Sequence, residues 1–186
     1  MNGLEEESDQ NLANRATNGD RAAFGEIVGR YKEPLYRFVR RYVGNGDDAY
    51  DLLQDSFLAA WMALGRYDTS RPLGPWLRTI ALNKCRDFSR RQSVRRLFLN
   101  LFATQSESHT TLAESGSEDA RLDQLDQAVA TLPAFYKEPL LLTAVSGLSH
   151  QETANILKTT PKAIEMRLRR ARQRLAHSLA PERDKP

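Results

Sequence analysis

Apolar residues recur along this chain at spacings of three and four and almost nowhere at spacing two, which predicts helices and no sheet. Phe24, Ile27, Val28, Tyr31, Leu35, Phe38, Val39 and Tyr42 make one stripe. Asp20 stands where a cap would start that helix, and Gly44-Asn45-Gly46 where it should stop. Pro34, which lacks a backbone donor, should kink or divide it. A second helix is expected from Asp47 and Asp48 to about Leu64, burying Ala49, Leu53, Phe57, Ala60 and Leu64. Residues 65–75, GRYDTSRPLGP, read as a loop. A third helix is expected from about Trp76 to Gln92, with Leu77, Ile80, Ala81, Lys84 and Phe88 at helical spacing.

The pattern then lapses. Residues 95–102, RRLFLNLF, are basic and then apolar, and an exposed apolar run of this kind marks an interface. The Ser/Thr/Glu-rich residues 104–120 hold too little apolar surface to fold alone, so 94–120 are expected to be a flexible acidic linker. Helical spacing resumes at Leu122, Leu125, Val129 and Leu132, breaks at Pro133, and continues as a buried helix from Leu140 to Val145 that ends at Gly147. The fold class is therefore all-α: two small domains, 10–93 and 121–180, on a linker.

Residues 149–175 predict two short helices joined by a tight turn. Ser149 and Glu152 have the spacing of a capping box, and Pro161 suits the first turn of a new helix. Ala154 is small where two helices must approach. Ile164, Leu168, Ala171, Leu175 and Leu179 form the buried stripe of the second helix. Six basic residues lie between Pro161 and Arg174 against one acid, Glu165. Such a helix-turn-helix places arginines in a DNA major groove, where they reach guanine edges and phosphates.

Charge is segregated to a degree that the net value of +3 conceals. Residues 78–96 carry seven Arg or Lys against one Asp, and residues 104–120 four acids and no Arg or Lys. Separate fields suggest separate partners. Arg66, Tyr67, Arg71 and Trp76 put aromatics beside cations before the basic helix that carries Arg78, Asn83, Lys84, Arg86, Arg90 and Arg91, a combination suited to single-stranded DNA. Trp76 by itself reads better as core. Asp48, Asp51 and Asp55 share a face of the second helix, flanked by Leu52, Gln54 and Leu58, which suits a basic protein partner. The single cysteine, Cys85, excludes an intrachain disulfide and reads as buried. His109, His150 and His177 have no ligand spacing, so neither metal nor cofactor is expected. The acidic opening MNGLEEESDQ is not an export signal, and no apolar run suits a membrane span, so a cytoplasmic protein without membrane insertion is expected.

Three segments in this order resemble the extracytoplasmic-function (ECF) sigma factors of the sigma-70 superfamily, over about residues 10–180. DAYDLLQDSFLAAW, residues 48–61, is similar to the core-polymerase-binding helix. RPLGPWLRTIALNKCRDFSRRQ, residues 71–92, is similar to the segment that melts and reads the −10 element. Residues 132–175 are similar to the domain that reads the −35 element. The resemblance implies no enzymatic activity, core RNA polymerase and promoter DNA as partners, and an anti-sigma factor as regulator of a stress or envelope signal. It implies core binding by Asp48, Asp51, Leu52, Gln54, Asp55 and Leu58, with Phe57 supporting that helix from the core. The loop 66–75 would capture a flipped −10 base above Arg78, Asn83, Lys84 and Arg86. Lys162, Glu165, Met166, Arg167, Arg169, Arg170 and Arg174 would read the −35 duplex. The linker's acidity would mimic RNA in the exit path. Glu165 and Met166 depart from the basic residue and serine of many relatives, and an acid there can accept from cytosine N4. The alternative is a stand-alone helix-turn-helix regulator, distinguished by indifference to Asp51 and Asp55. A nucleic-acid enzyme is disfavoured, because no carboxylates pair with a His or metal-like cluster.

Overall fold

The caps decide where each helix begins. In the computed structural model, which describes residues 7–102 and 118–179 (side chains of 100–102 and 118–123 excepted), Ser8 caps α1, Asp9–Thr17, by accepting from Asn11 N. Asp20 caps α2, Arg21–Val43, accepting from Ala22 N and Ala23 N at 2.9 and 3.1 Å. Pro34 does not divide α2, because Ile27 on one side of it and Leu35, Phe38 and Val39 on the other bury into the same core. Gly44 ends the helix at φ 79°, a left-handed conformation that favours glycine. Asn45 caps α3, Gly46–Ala63, and a 3₁₀ turn over Leu64–Arg66 leads into the loop.

α4 runs from Leu73 to Phe102, longer at both ends than the expected 76–92. It buries Leu73, Leu77, Ala81, Leu82 and Cys85, while Ile80, Lys84 and Phe88 are only half-buried. Helix also occupies 94–102 and 118–120 of the stretch expected to be linker, and 103–117 lie outside the described residues. The exposed Val94, Leu97, Phe98 and Leu99 confirm the apolar surface on the far end of α4.

The second body consists of α5 (Glu118–Thr131), α6 (Ala134–Leu140, continued by a π turn over Leu141–Val145), α7 (His150–Leu157) and α8 (Pro161–Leu179). Its core is Val129, Leu132, Leu140, Leu141, Leu142, Leu148, Ala154, Ile164, Leu168 and Ala171. The α8 stripe fades after Ala171: Leu175 is half-buried and Leu179 exposed, against expectation. The capping box is present, with Glu152 N donating to Ser149 Oγ at 3.2 Å and Ser149 N to Glu152 Oε2 at 2.8 Å. Lys158 turns the chain at φ 51° before Pro161 opens α8. No strand occurs among the described residues. The two bodies pack together: α5 and the π turn after α6 lie on α2, and α7 on α4.

Candidate functional site

The period of α3 sorts its residues into two faces. Leu52, Leu53, Phe57 and Ala60 are buried, and Leu52 at 8% exposure is therefore not the exposed leucine expected beside the acids. Asp51, Gln54 and Asp55 are exposed, with Asp48 partly so. Leu58 at 60% and Met62 at 79% supply the apolar part of that face. Spacing had not singled out Met62, although it stands four residues beyond Leu58. Asp48, Asp51, Leu52 and Asp55 also form one wall of a groove of about 190 Å³, whose other wall is Lys84, Asp87, Phe88 and Arg91 of α4. Lys84 and Arg91 thus face carboxylates instead of lying with the rest of the expected −10 surface.

The loop after α3 is built around its own side chains. Asp68 accepts from Ser70 N at 3.1 Å, Ser70 Oγ at 2.6 Å and Arg71 Nε at 3.1 Å. The hydrogen bonds from Ser70 hold the Asp68 carboxyl below its ordinary range. Tyr67, expected to be presented to DNA, is buried: its hydroxyl donates to Arg71 O at 2.5 Å and its ring lies 4.5 Å from that of half-buried Trp76. Arg66 and Arg71 are exposed. A cleft of about 520 Å³ runs between this loop, Tyr31, Arg78 and Asp9 of α1 on one side and Leu148 and Glu152 of the second body on the other. Apolar spacing does not single out Asp9 or α1. Asp9 accepts from Tyr31 Oη and, at 3.0 Å, from Arg30 Nη1. Burial first, then Asp9, raises the Tyr31 phenol above its ordinary value. A Cβ at Gly74 would stand 2.7 Å from Arg78 Nη1, so glycine lets the guanidinium lie against the backbone.

Farther along α4, Asn83, Arg90 and Arg91 are exposed, and Arg90 pairs with Asp87 at 2.5 Å. Arg86, expected on the DNA surface, is only partly exposed. Its Nε and Nη2 meet Glu138 Oε1 and Oε2 at 2.8 and 2.6 Å, and that hydrogen bonding raises its pKa further. Cys85, beside it, is fully buried, and burial pushes its thiol up to about 12, which leaves it unreactive.

On α8, Lys162, Glu165, Met166, Arg169 and Arg170 are exposed on one face at spacings of three, one, three and one. Arg167 departs from this set. It is half-buried, its guanidinium sits 3.9 Å from the centre of the Phe135 ring, and it reaches Thr159 Oγ1 at 3.5 Å. Arg174 lies over Tyr136 at 5.0 Å yet remains exposed. Among the described residues no group of three metal-ligating side chains converges, and no helix is long and apolar enough to cross a membrane.

Comparison with known proteins agrees in content and in order. A model of the family described as Sigma-70 region 2 matches residues 27–95, and one described as Sigma-70, region 4 matches residues 122–175. The chain is 37% identical over 174 residues to the RNA polymerase sigma factor NccH of Alcaligenes xylosoxydans xylosoxydans, which covers 90% of this chain and 92% of that protein. The solved structure of CnrH in complex with the cytosolic domain of CnrY matches with a TM-score of 0.72 and 31% identity, over 96% of this chain and 100% of the other. The structure of the sigma factor RpoE in complex with the anti-sigma factor NepR from Bartonella quintana matches with a TM-score of 0.67 and 27% identity, over 84% of this chain and 96% of that one. An acidic helix, a basic helix and a helix-turn-helix in this order, matched along nearly the whole length, place the chain in the sigma-70 family of RNA polymerase sigma factors, in its ECF group.

Proposed function

We propose that the protein binds core RNA polymerase through the exposed face of α3, reads a −35 duplex with α8, and holds the melted −10 strand against the loop 66–75 and α4. The observation that carries this reading is the separation of charge between exposed faces. Asp51, Gln54, Asp55 and Leu58 present an acidic and apolar surface, and Lys162, Arg169 and Arg170 a basic one, on opposite bodies of one chain. A basic protein and a polyanion are the complementary partners. The domains assigned to these tasks are 10–93 and 121–180. Binding and positioning are the whole task, with neither cofactor nor metal, in the cytoplasm. Control by an anti-sigma factor is supported by the relative solved with NepR.

Run-off transcription by core polymerase on a pool of candidate promoters tests this. Initiation that depends on the protein, and that Asp51→Arg with Asp55→Arg abolishes, is the expected result. Sequence-specific duplex binding with no core binding would instead make it a stand-alone regulator.

A further inference from the structure

Buried Gly74, in the first turn of α4, carries no side chain where α2 packs beside it. A Cβ there would stand 2.7 Å from Arg78 Nη1, 3.3 Å from Tyr31 Cε1 and 3.4 Å from Tyr31 Oη. The first two distances are tighter than ordinary contact, so the guanidinium and the phenol occupy the space that glycine leaves. Gly74 does not have a left-handed backbone, so this space, and not its conformation, calls for glycine. Tyr31 is fixed in turn from α1. Its hydroxyl donates to Asp9, which also accepts from Arg30 Nη1 at 3.0 Å. Arg78 is held by packing alone. Among the described residues it makes neither ion pair nor hydrogen bond. Burial draws its pKa down, and the influence of Tyr31 and then of Glu152 only partly offsets this. A buried polar group ordinarily has a partner. The N–H donors of a planar fork, half-buried beside the cleft of about 520 Å³, therefore call for an acceptor from outside the chain.

The setting decides the chemistry of that acceptor. Exposed Arg71, on the loop, suits a phosphate that keeps most of its water. At Arg78 a phosphate would lose much of its water to meet a single cation, which is costly. An uncharged base edge with two adjacent acceptors fits the fork without that cost. Guanine offers O6 and N7, and cytosine O2 and N3, whereas adenine and thymine have no two adjacent acceptors. We propose that Gly74 and Tyr31 set the Arg78 guanidinium as the reader of one unpaired base, which selects guanine or cytosine against adenine and thymine, with Asp9 positioning Tyr31. This rests on the assignment of the melted −10 strand to the loop 66–75 and α4, and adds which residues choose the base there. Arg78 touches the base. Gly74, Tyr31 and Asp9 act through Arg78 as positioning residues.

The test is selection by the full chain bound to core polymerase, from templates randomised across the −10 element. Initiation rates are then compared on the four templates that differ at the selected position. The parent should favour guanine or cytosine there by about tenfold over adenine and thymine. The base selected names the source of the acceptors, and a guanine analogue with carbon in place of N7 should remove a preference for guanine. Arg78→Lys keeps the charge and loses the fork, so the preference should disappear. Gly74→Ala should do the same by displacing Nη1. The nearest atom it meets is the far end of a flexible side chain, so the chain should still fold. Tyr31→Phe keeps the ring but releases Asp9, and should lower the preference by less than either. An equal loss on all four templates in Arg78→Lys would reveal a phosphate contact and overturn the base readout. No preference in the parent, a preference there for adenine or thymine, or one that survives both Arg78→Lys and Gly74→Ala would overturn it as well. A preference unchanged in Tyr31→Phe would overturn the positioning part of Asp9. Core binding without initiation on any template would overturn the strand-binding role itself, and the proposal with it.

Discussion

Along α8, Lys162, Arg169 and Arg170 share one exposed face, whereas Arg78, Lys84 and Arg86 of α4 are only partly exposed. Arg78 is half-buried behind the loop, Lys84 and Arg91 line the acidic groove, Arg86 grips Glu138, and Arg90 pairs with Asp87. The two helices look equally basic in sequence. Their difference comes from position: α8 packs on its neighbours through one stripe, while α4 touches α2, α3 and α7 in turn. Local charge thus predicts a nucleic-acid surface only where one side of the helix is left unpacked. Where a helix is central, the same arginines become ion-pair partners, and their availability to DNA depends on what else is docked.

The comparison breaks most directly at α8. Arg169→Ala with Arg170→Ala should weaken binding to a selected duplex by about 2–6 kcal/mol, at about 1–3 kcal/mol per lost contact. Arg90→Ala should leave duplex affinity nearly unchanged, because Arg90 lies on the other body and already pairs with Asp87. Fluorescence anisotropy with labelled duplex measures both, and equal losses would erase the distinction between the helices. A smaller effect is expected from Glu165→Gln. Exchanging a lone acceptor for a group that also donates should shift the preferred base at one −35 position by about 1–2 kcal/mol, read by selection from randomised templates. Overall affinity should rise slightly as repulsion from phosphate is removed.

Much of this was legible in sequence, for reasons that differ by element. Asp20, Gly44, Ser149, Glu152 and Pro161 announced helix ends, because capping depends only on residues within a turn of one another. The exposed face of α8 followed from the stripe Ile164, Leu168 and Ala171 opposite it. The fates of Leu52, Arg86 and Arg167 did not follow, because each is set by a residue distant in the chain or by packing between helices. Arg86 finds Glu138 52 positions away, and Arg167 finds the Phe135 ring. Tyr67 departs from expectation for a related reason. A loop rich in glycine and proline suggested an exposed ring, yet Trp76 and the Arg71 carbonyl give it partners on both its apolar and polar sides. α1 escaped notice because only Leu12, Ala13 and Ala16 are buried along it, too short a stripe to stand out.

The packing of the second body, which separates α4 from α8, can be loosened at Gly44. Gly44→Ala places a side chain at φ 79° and brings it against Ala130. The left-handed backbone alone should destabilise the chain by about 1–2 kcal/mol. Thermal denaturation should show a lower midpoint, and the loss should be larger than for Gly19→Ala, whose φ of 92° is also left-handed but which meets no atom within 4 Å. Equal losses at the two sites would mean that the contact between the bodies adds nothing to stability.

The smallest effect tests whether α8 is held as a rigid reader independently of α4. Ser149 and Glu152 satisfy each other's backbone donors at the start of α7, the helix against which α8 packs. Ser149→Ala should destabilise the second body by about 1 kcal/mol. The Ser149 hydroxyl and N–H hold the Glu152 carboxyl below its ordinary 4.5. A depressed carboxyl contributes stability that is present above pH 4.5 and fades as pH falls through its lowered value. The parent and Ser149→Ala should therefore differ most at neutral pH and less in acid, where only the cap from Glu152 N to Ser149 Oγ still separates them, measured by circular dichroism across pH. Glu152 also faces Arg78 across the cleft, so part of its contribution belongs to the contact between the bodies. Adding Lys137→Met, which removes the ammonium that donates to Tyr42 O at 3.0 Å, to both forms separates the shares: a difference between parent and Ser149→Ala that survives belongs to the capping box, and one that shrinks belongs to the docking that sets α4 apart from α8.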